Sequence, residues 1–133
     1  MSSPLFVDTG YIIALINKND QYHEQAVELS GLYENFPLVT TEAILLEVGN
    51  ALSRRHRRQA LSIIDYFQTS PEVTVVPLTA DLFASAIGLY ATHSDKTWGL
   101  VDCVSFVVME ERQISVALAF DSHFIQAGFT LAG

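Results

Sequence analysis

One cysteine in 133 residues rules out an internal disulfide. Cys103 lies inside an apolar run and reads as a reduced, buried structural thiol. The sequence also lacks the uninterrupted run of ~18 or more apolar residues that a membrane-spanning helix requires. Its start, Met-Ser-Ser-Pro-Leu-Phe-Val-Asp, has no basic segment leading into a long apolar stretch and does not read as a secretion signal. These absences lead us to expect a cytoplasmic protein. Glycine loops of the forms G-x-x-x-x-G-K-[ST] and G-x-G-x-x-G are missing, which sets aside nucleotide-fuelled and dinucleotide chemistry. His23, His56, His93 and His123 have no H-x-x-x-H spacing, and none pairs with Cys103 in a zinc pattern. A Cys-His or Ser-His nucleophile is equally unsupported.

Cations are scarce as well. The formal net charge is −8, and four of the seven Lys and Arg residues fall in one pentad, Arg54-Arg55-His56-Arg57-Arg58. The remainder of the chain sets three basic residues against fifteen acidic ones. An acidic protein with one basic patch is therefore expected. Such a patch reads either as a solvated helix end or as a contact for phosphates or an acidic partner.

Half the residues are apolar, and no repeat, low-complexity tract or Pro/Ser-rich linker divides the chain, so residues 1–133 read as one domain. Short apolar runs alternate with longer helical patterns. Strands are expected at 4–7, 37–40, 73–76 and 115–120, with a last edge strand at 129–131. Helices are expected at 9–16, 21–34, 42–54, 59–68, 80–92 and 100–111, with one helical turn at 122–126 closed by Gly128. Ala26, Val27, Leu29 and Tyr33 supply the apolar stripe of the second helix, and Thr41 and Thr79 are placed as N-caps. Strands that are apolar without period-two alternation, separated by helices, indicate a three-layer α/β/α domain around a mostly parallel sheet of four to five strands.

Against this frame, four acids stand out. Asp8 and Asp121 each follow a strand directly, at the carboxyl ends where open parallel sheets place their ligands, although a helix cap would explain either one alone. Glu47 is the only charge in Ala43-Ile-Leu-Leu-Glu-Val-Gly-Asn-Ala-Leu52, and Asp102 the only charge in residues 98–109. Helices this apolar are expected to be buried, and an unpaired buried carboxylate is costly. Lys18, Lys96 and Arg112 are the cations outside the pentad, and none lies within a helical turn of these acids. Arg54, seven residues after Glu47, is expected on the same helix face and cannot offset four carboxylates. A divalent metal can, and Mg²⁺ or Mn²⁺ prefers carboxylate oxygen and water. Asn50 and Ser105, each three residues after a helical acid, and Thr9 and Ser122, each following a strand-end Asp, are candidate supports for the ligands or for a bound water, with a cap or helix hydrogen bond as the alternative for each.

The segments Val7-Asp8-Thr9, Glu47 with Asn50, Leu100-Val-Asp-Cys-Val-Ser-Phe106 and Phe120-Asp-Ser-His-Phe124 together resemble the PIN-domain ribonucleases. The likeness is greatest to VapC-like toxins of type II toxin–antitoxin systems, and it runs from Asp8 to Gly128. The resemblance implies that Asp8, Glu47, Asp102 and Asp121 form a catalytic acidic quartet binding Mg²⁺ or Mn²⁺, with Thr9 as the hydroxyl beside the first acid. It implies hydrolysis of RNA, often structured RNA such as tRNA, leaving 5′-phosphate and 3′-hydroxyl ends. It further implies a homodimer and restraint by a cognate antitoxin. Arg54, Arg55, Arg57 and Arg58 are then candidates for holding RNA phosphates. Two other readings remain open: a catalytically silent PIN-like module that binds RNA or protein, and a metal-dependent phosphatase with Asp8 as nucleophile. The latter usually has a second Asp two residues on, where this chain has Gly10.

Overall fold

A computed structural model describes residues 2–133. Among these, five strands form one sheet: β1 (Leu5–Val7), β2 (Leu38–Thr41), β3 (Val73–Val76), β4 (Val116–Leu118) and β5 (Thr130–Leu131). Their order is β3-β2-β1-β4-β5, and every neighbouring pair is parallel. In β1, Leu5, Phe6 and Val7 are all buried, as expected for a strand covered on both faces.

The chain steps from β1 to β2 to β3 in one direction, then returns to the other side of β1 for β4 and β5. The segments between the first three strands carry α1 (Thr9–Ile16), α2 (His23–Leu32), α3 (Glu42–Ala51) and α4 (Arg57–Thr69). The return segment carries α5 (Ala80–Thr92) and α6 (Leu100–Glu111), and α7 (His123–Gln126) lies between β4 and β5. Right-handed crossovers running in opposite directions put α1–α4 and α5–α6 on opposite faces, giving the three-layer α/β/α architecture. The direction reverses between β1 and β4, so a crevice opens at the carboxyl ends of those two strands.

Most element positions agree with the sequence, and the departures have local causes. The second helix is shorter than 21–34, and its stripe is narrower: Ala26 and Leu29 are buried, Tyr33 is half-buried, and Val27 is exposed. The third helix ends at Ala51 rather than Arg54. Gly49 and Asn50 are weak helix formers, and a continuous helix through the pentad would place like charges on adjacent turns. The end is closed from below: the Ser53 hydroxyl donates to the Asn50 carbonyl (3.0 Å) and the Arg57 Nε–H to the Ser53 carbonyl (3.2 Å). Arg54 therefore does not share a helix with Glu47. Thr41 and Thr79 cap as expected, each accepting the N–H three residues on at 3.2 Å. Gly128 follows α7 at φ +97°, a left-handed turn position that a side chain would strain.

Candidate metal centre

The four acids come together at the crevice. Asp8, Glu47, Asp102 and Asp121 all line one open cavity of about 700 Å³ that also takes in Thr9 and Ser122. Asp8 follows β1, and its N–H donates to the Leu118 carbonyl of β4 (3.1 Å), which fixes it at the reversal point of the sheet. It occupies the N-cap position of α1 with extended backbone, yet its side chain makes no capping hydrogen bond. The cap explanation therefore fails for Asp8, whose carboxyl faces the cleft instead.

Burial is distributed differently from the sequence expectation. Asp8 is the buried acid, at 8% exposure, whereas Glu47 is exposed and Asp102 only half-buried. In α3, Ala43, Ile44, Leu45 and Val48 turn to the core, and Glu47 lies at the flank of that face, where it lines the cleft. An apolar helix does not bury every position. A carboxyl at the end of a central strand has no such outer face.

The electrostatic consequence is concentrated on Asp8. Burial, reinforced by the negative charges of Asp102, Glu47 and Asp121, pushes its pKa up from 3.8 to about 7 against the lowering influence of the Thr9 backbone N–H. Among the described residues, no Lys or Arg forms an ion pair with any of the four acids. A cleft with four carboxyl groups, one of them unable to hold its charge at ordinary acid strength, is short of a cation. Its donors are hard oxygens, which suit Mg²⁺ or Mn²⁺. The residues present therefore fit a divalent ion.

The two sides of the cleft are held by different means. On one side, the Thr9 hydroxyl donates to Glu47 Oε1 at 2.6 Å, tying α1 to α3. On the other, Asp102 Oδ2 accepts the Gly99 N–H at 2.9 Å, closing the start of α6. The same oxygen lies 3.1 Å from His123 Nδ1, and Asp121 Oδ2 lies 3.2 Å from that nitrogen. Asp121 Oδ1 accepts the His123 backbone N–H at 3.0 Å. The His123 Nε2 is 3.2 Å from the Thr97 hydroxyl. A ring carrying its proton on Nδ1 satisfies all of these: Nδ1–H donates to the carboxylates, and Nε2 accepts from Thr97.

The sequence gives His123 no role, because the histidines lack ligand spacing among themselves. Its partners are two aspartates, one 21 residues earlier in the chain. The one local signal was adjacency: His123 stands two residues after a strand-end Asp. Ligand atoms of Asp102, Asp121 and His123 all lie within 4.8 Å of one another, forming a compact knot at this side of the cleft.

The other candidate supports divide. Thr9 contacts an acid directly, and Ser122 lines the cavity without capping α7 through its side chain. Ser105 is buried and donates to the Val101 carbonyl at 3.1 Å, so it serves its own helix. Asn50 is exposed and lies outside the cavity lining. Arg54, Arg55, Arg57 and Arg58 are exposed around the bend from α3 into α4, also outside the lining. Cys103 is buried, and burial, followed by the charge of Asp102, raises its pKa.

This fold and acidic cleft define a PIN domain. The chain belongs to that family, whose pattern matches residues 5–130. It is 34% identical over 127 residues to the 23S rRNA-specific endonuclease VapC20 of Mycobacterium tuberculosis, covering 94% of this chain and 95% of that protein. The crystal structure of VapC20, described as a sarcin-ricin loop cleaving toxin, superposes with a TM-score of 0.85 at 33% identity, covering 96% of this chain and 97% of that one. VapBC2 from Rickettsia felis, solved bound to promoter DNA, matches in fold with a TM-score of 0.66 at 16% identity over 98% of each chain.

Proposed function

We propose that this protein is a metal-dependent endoribonuclease of the VapC type, acting as one PIN domain over residues 1–133. The observation that carries the reading is the gathering of four carboxyl groups at the sheet's reversal point with no Lys or Arg among the described residues to neutralise them. Asp8, Glu47, Asp102 and Asp121 would hold Mg²⁺ or Mn²⁺. Such an ion, when bound, acidifies water and offsets the negative charge that develops on a phosphodiester under attack.

The protein's own groups prepare that site. His123 and the Gly99 N–H fix the orientations of Asp102 and Asp121 before anything binds, and the Thr9 hydroxyl fixes Glu47. The openness of the cleft suits an RNA strand laid across it. Arg54, Arg55, Arg57 and Arg58 are exposed and free of ion pairs among the described residues, which supports a role in holding phosphates at a distance from the acids. The likeness to VapC20 favours structured ribosomal RNA over tRNA as the substrate class.

A toxin role brings two protein partners. Leu46, Leu61 and Tyr66 are exposed on α3 and α4, and Phe83, Ile87 and Tyr90 recur at helical spacing on α5. The α5 residues share one helix face, and we assign that face to a protein contact, with the homodimer and the cognate antitoxin as the partners a toxin role brings. Cys103, buried and unpaired, suits a reducing cytoplasm. No described helix is long and apolar enough to cross a membrane.

The test is cleavage of ribosomal RNA by the wild type with Mn²⁺, with EDTA, and by Asp8→Asn and Asp102→Asn variants. Cutting that needs the metal, leaves 5′-phosphate ends and is lost in both variants is expected. Hydrolysis of small phosphate monoesters without RNA cleavage would establish a phosphatase instead, and RNA binding without any cleavage a silent module.

A further inference from the structure

The acidic cleft has one aromatic edge, and the metal chemistry does not use it. Tyr22 and Phe120 both line the cavity, and their rings stack with centroids 4.5 Å apart and planes 9° from parallel. Phe120 in turn leans on buried Tyr11, at 6.3 Å and 38°. The result is a column of three rings rising from the core to the cavity. Its outermost residue, Tyr22, remains 37% exposed with Phe120 stacked on one face of its ring.

The loop carrying Tyr22 is ordered by its own polar groups. Asp20 Oδ1 accepts the Tyr22 N–H at 2.8 Å, Asn17 Oδ1 accepts the Asn19 N–H at 3.0 Å, and His23 Nδ1 meets the Ala14 carbonyl at 2.7 Å. The ring is therefore presented in a fixed place before any ligand arrives. Phe120 immediately precedes Asp121, so the column stands beside the acids.

The lining of this cavity contains no Lys or Arg among the described residues. A nucleotide entering it gains no side-chain cation for its phosphate, so what side chains other than the acids can offer it is contact with its base or sugar. An exposed ring backed by a stacked pair offers an unpaired base a π-face, an interaction tolerant of base identity.

We propose that Tyr22, backed by Phe120, is a stacking subsite for an unpaired nucleobase next to the phosphodiester to be cleaved. The inference deepens the ribonuclease reading and rests on it for the identity of the ligand.

Binding can be read apart from turnover, using Asp102→Asn protein and a short single-stranded RNA bearing 2-aminopurine at successive positions. One position should be quenched on binding. Adding Tyr22→Leu should abolish that quenching and raise Kd roughly tenfold, the scale of one lost base–aromatic stack. Tyr22→Phe should keep both. An abasic nucleotide at the quenched position should weaken binding to the Tyr22 protein and have no further effect on the Tyr22→Leu protein. That arm leaves the protein's fold untouched. Unchanged Kd and quenching in Tyr22→Leu, or an equal abasic penalty in both proteins, would overturn the subsite. Cleavage of the same RNA by wild type with Mn²⁺ tests the parent reading separately: Tyr22-dependent quenching without cleavage sinks the nuclease and leaves the stacking site standing.

Discussion

The two walls of the cleft are built on opposite principles. On the wall made by β1, α1 and α3, Asp8 is buried without an ion-pair partner, and its carboxyl is pushed up to about 7. On the wall made by α6 and α7, Asp102 and Asp121 are met by a ring N–H and by two backbone N–H groups. The first wall stores unfavourable electrostatics that a bound cation would relieve. The second uses local hydrogen bonds to hold two candidate ligands in register. Affinity for an ion needs both, since a preformed pair of ligands with no charge deficit has little reason to bind, and a charge deficit without fixed ligands binds loosely.

The largest effect expected from this difference is on the buried wall, and it depends on pH. The folded pKa of Asp8, about 7, lies above the ordinary 3.8, so folded protein retains a proton that the unfolded chain has already released. Between those values the native state binds more protons, and stability falls as pH rises. The stabilising contribution is full below pH 3.8 and lost as pH passes through about 7. The loss is on the order of 4 kcal/mol for metal-free protein, from the size of the shift. Asp8→Asn should remove this dependence. In EDTA, the melting temperature of Asp8→Asn minus that of wild type should be small at pH 4 and clearly positive at pH 8. Mn²⁺ should then reverse the order, because only the wild type keeps the full set of acids. A difference that is flat with pH would mean that Asp8 is not the seat of the stored charge.

The preorganised wall is tested next. His123→Ala removes the ring that meets Asp102 and Asp121 but leaves the residue's backbone N–H on Asp121 Oδ1. Mn²⁺ affinity, read by electron paramagnetic resonance or calorimetry, should fall about 10–100-fold, the usual scale for losing a group that orients a ligand. His123→Gln, whose amide can still donate to one carboxylate, should fall less. Equal affinity in wild type and His123→Ala would remove the distinction between the walls.

Much of this arrangement was legible in the sequence, for reasons that also explain the failures. Strand and helix positions follow from local periodicity and capping residues, so β3 at 73–76 and α5 at 80–92 agree with the structure at both ends. The gathering of the acids was legible because strand ends in a parallel sheet converge on one edge. The burial of each acid was not. A lone charge in an apolar stretch marks Glu47 as unusual, but whether it is buried depends on which helix stripe meets the sheet. Asp8 gave no sign of being the most deeply placed, since its neighbours in sequence do not reveal that β1 is the central strand. Ser105 looked like a partner for Asp102 at three residues' spacing, and it instead satisfies the carbonyl of Val101. The link from His123 to Asp102 joins residues 21 apart, beyond any local pattern.

The smallest expected effect lies in the side-chain hydrogen bond that ties α1 to α3 in the buried wall. The Thr9 hydroxyl donates to Glu47 Oε1 at 2.6 Å, and both residues are at least partly open to water. Thr9→Val keeps the shape and removes the donor. Because solvent can replace the lost partner, the cost to folding should be about 1 kcal/mol or less in urea denaturation. The metal-free and Mn²⁺-loaded proteins should differ in how much they notice. Without metal, Glu47 merely becomes a solvated side chain. With metal, its carboxylate must be drawn into place from a wider range of rotamers, so Mn²⁺ affinity should drop several-fold while remaining well above that of His123→Ala. Thr9→Ser should restore the affinity, since it returns the hydroxyl without the methyl. If Thr9→Val weakens Mn²⁺ binding as much as His123→Ala, the buried wall is held in register as firmly as the other. The contrast between a charge-deficient wall and a preorganised one would then have to be abandoned.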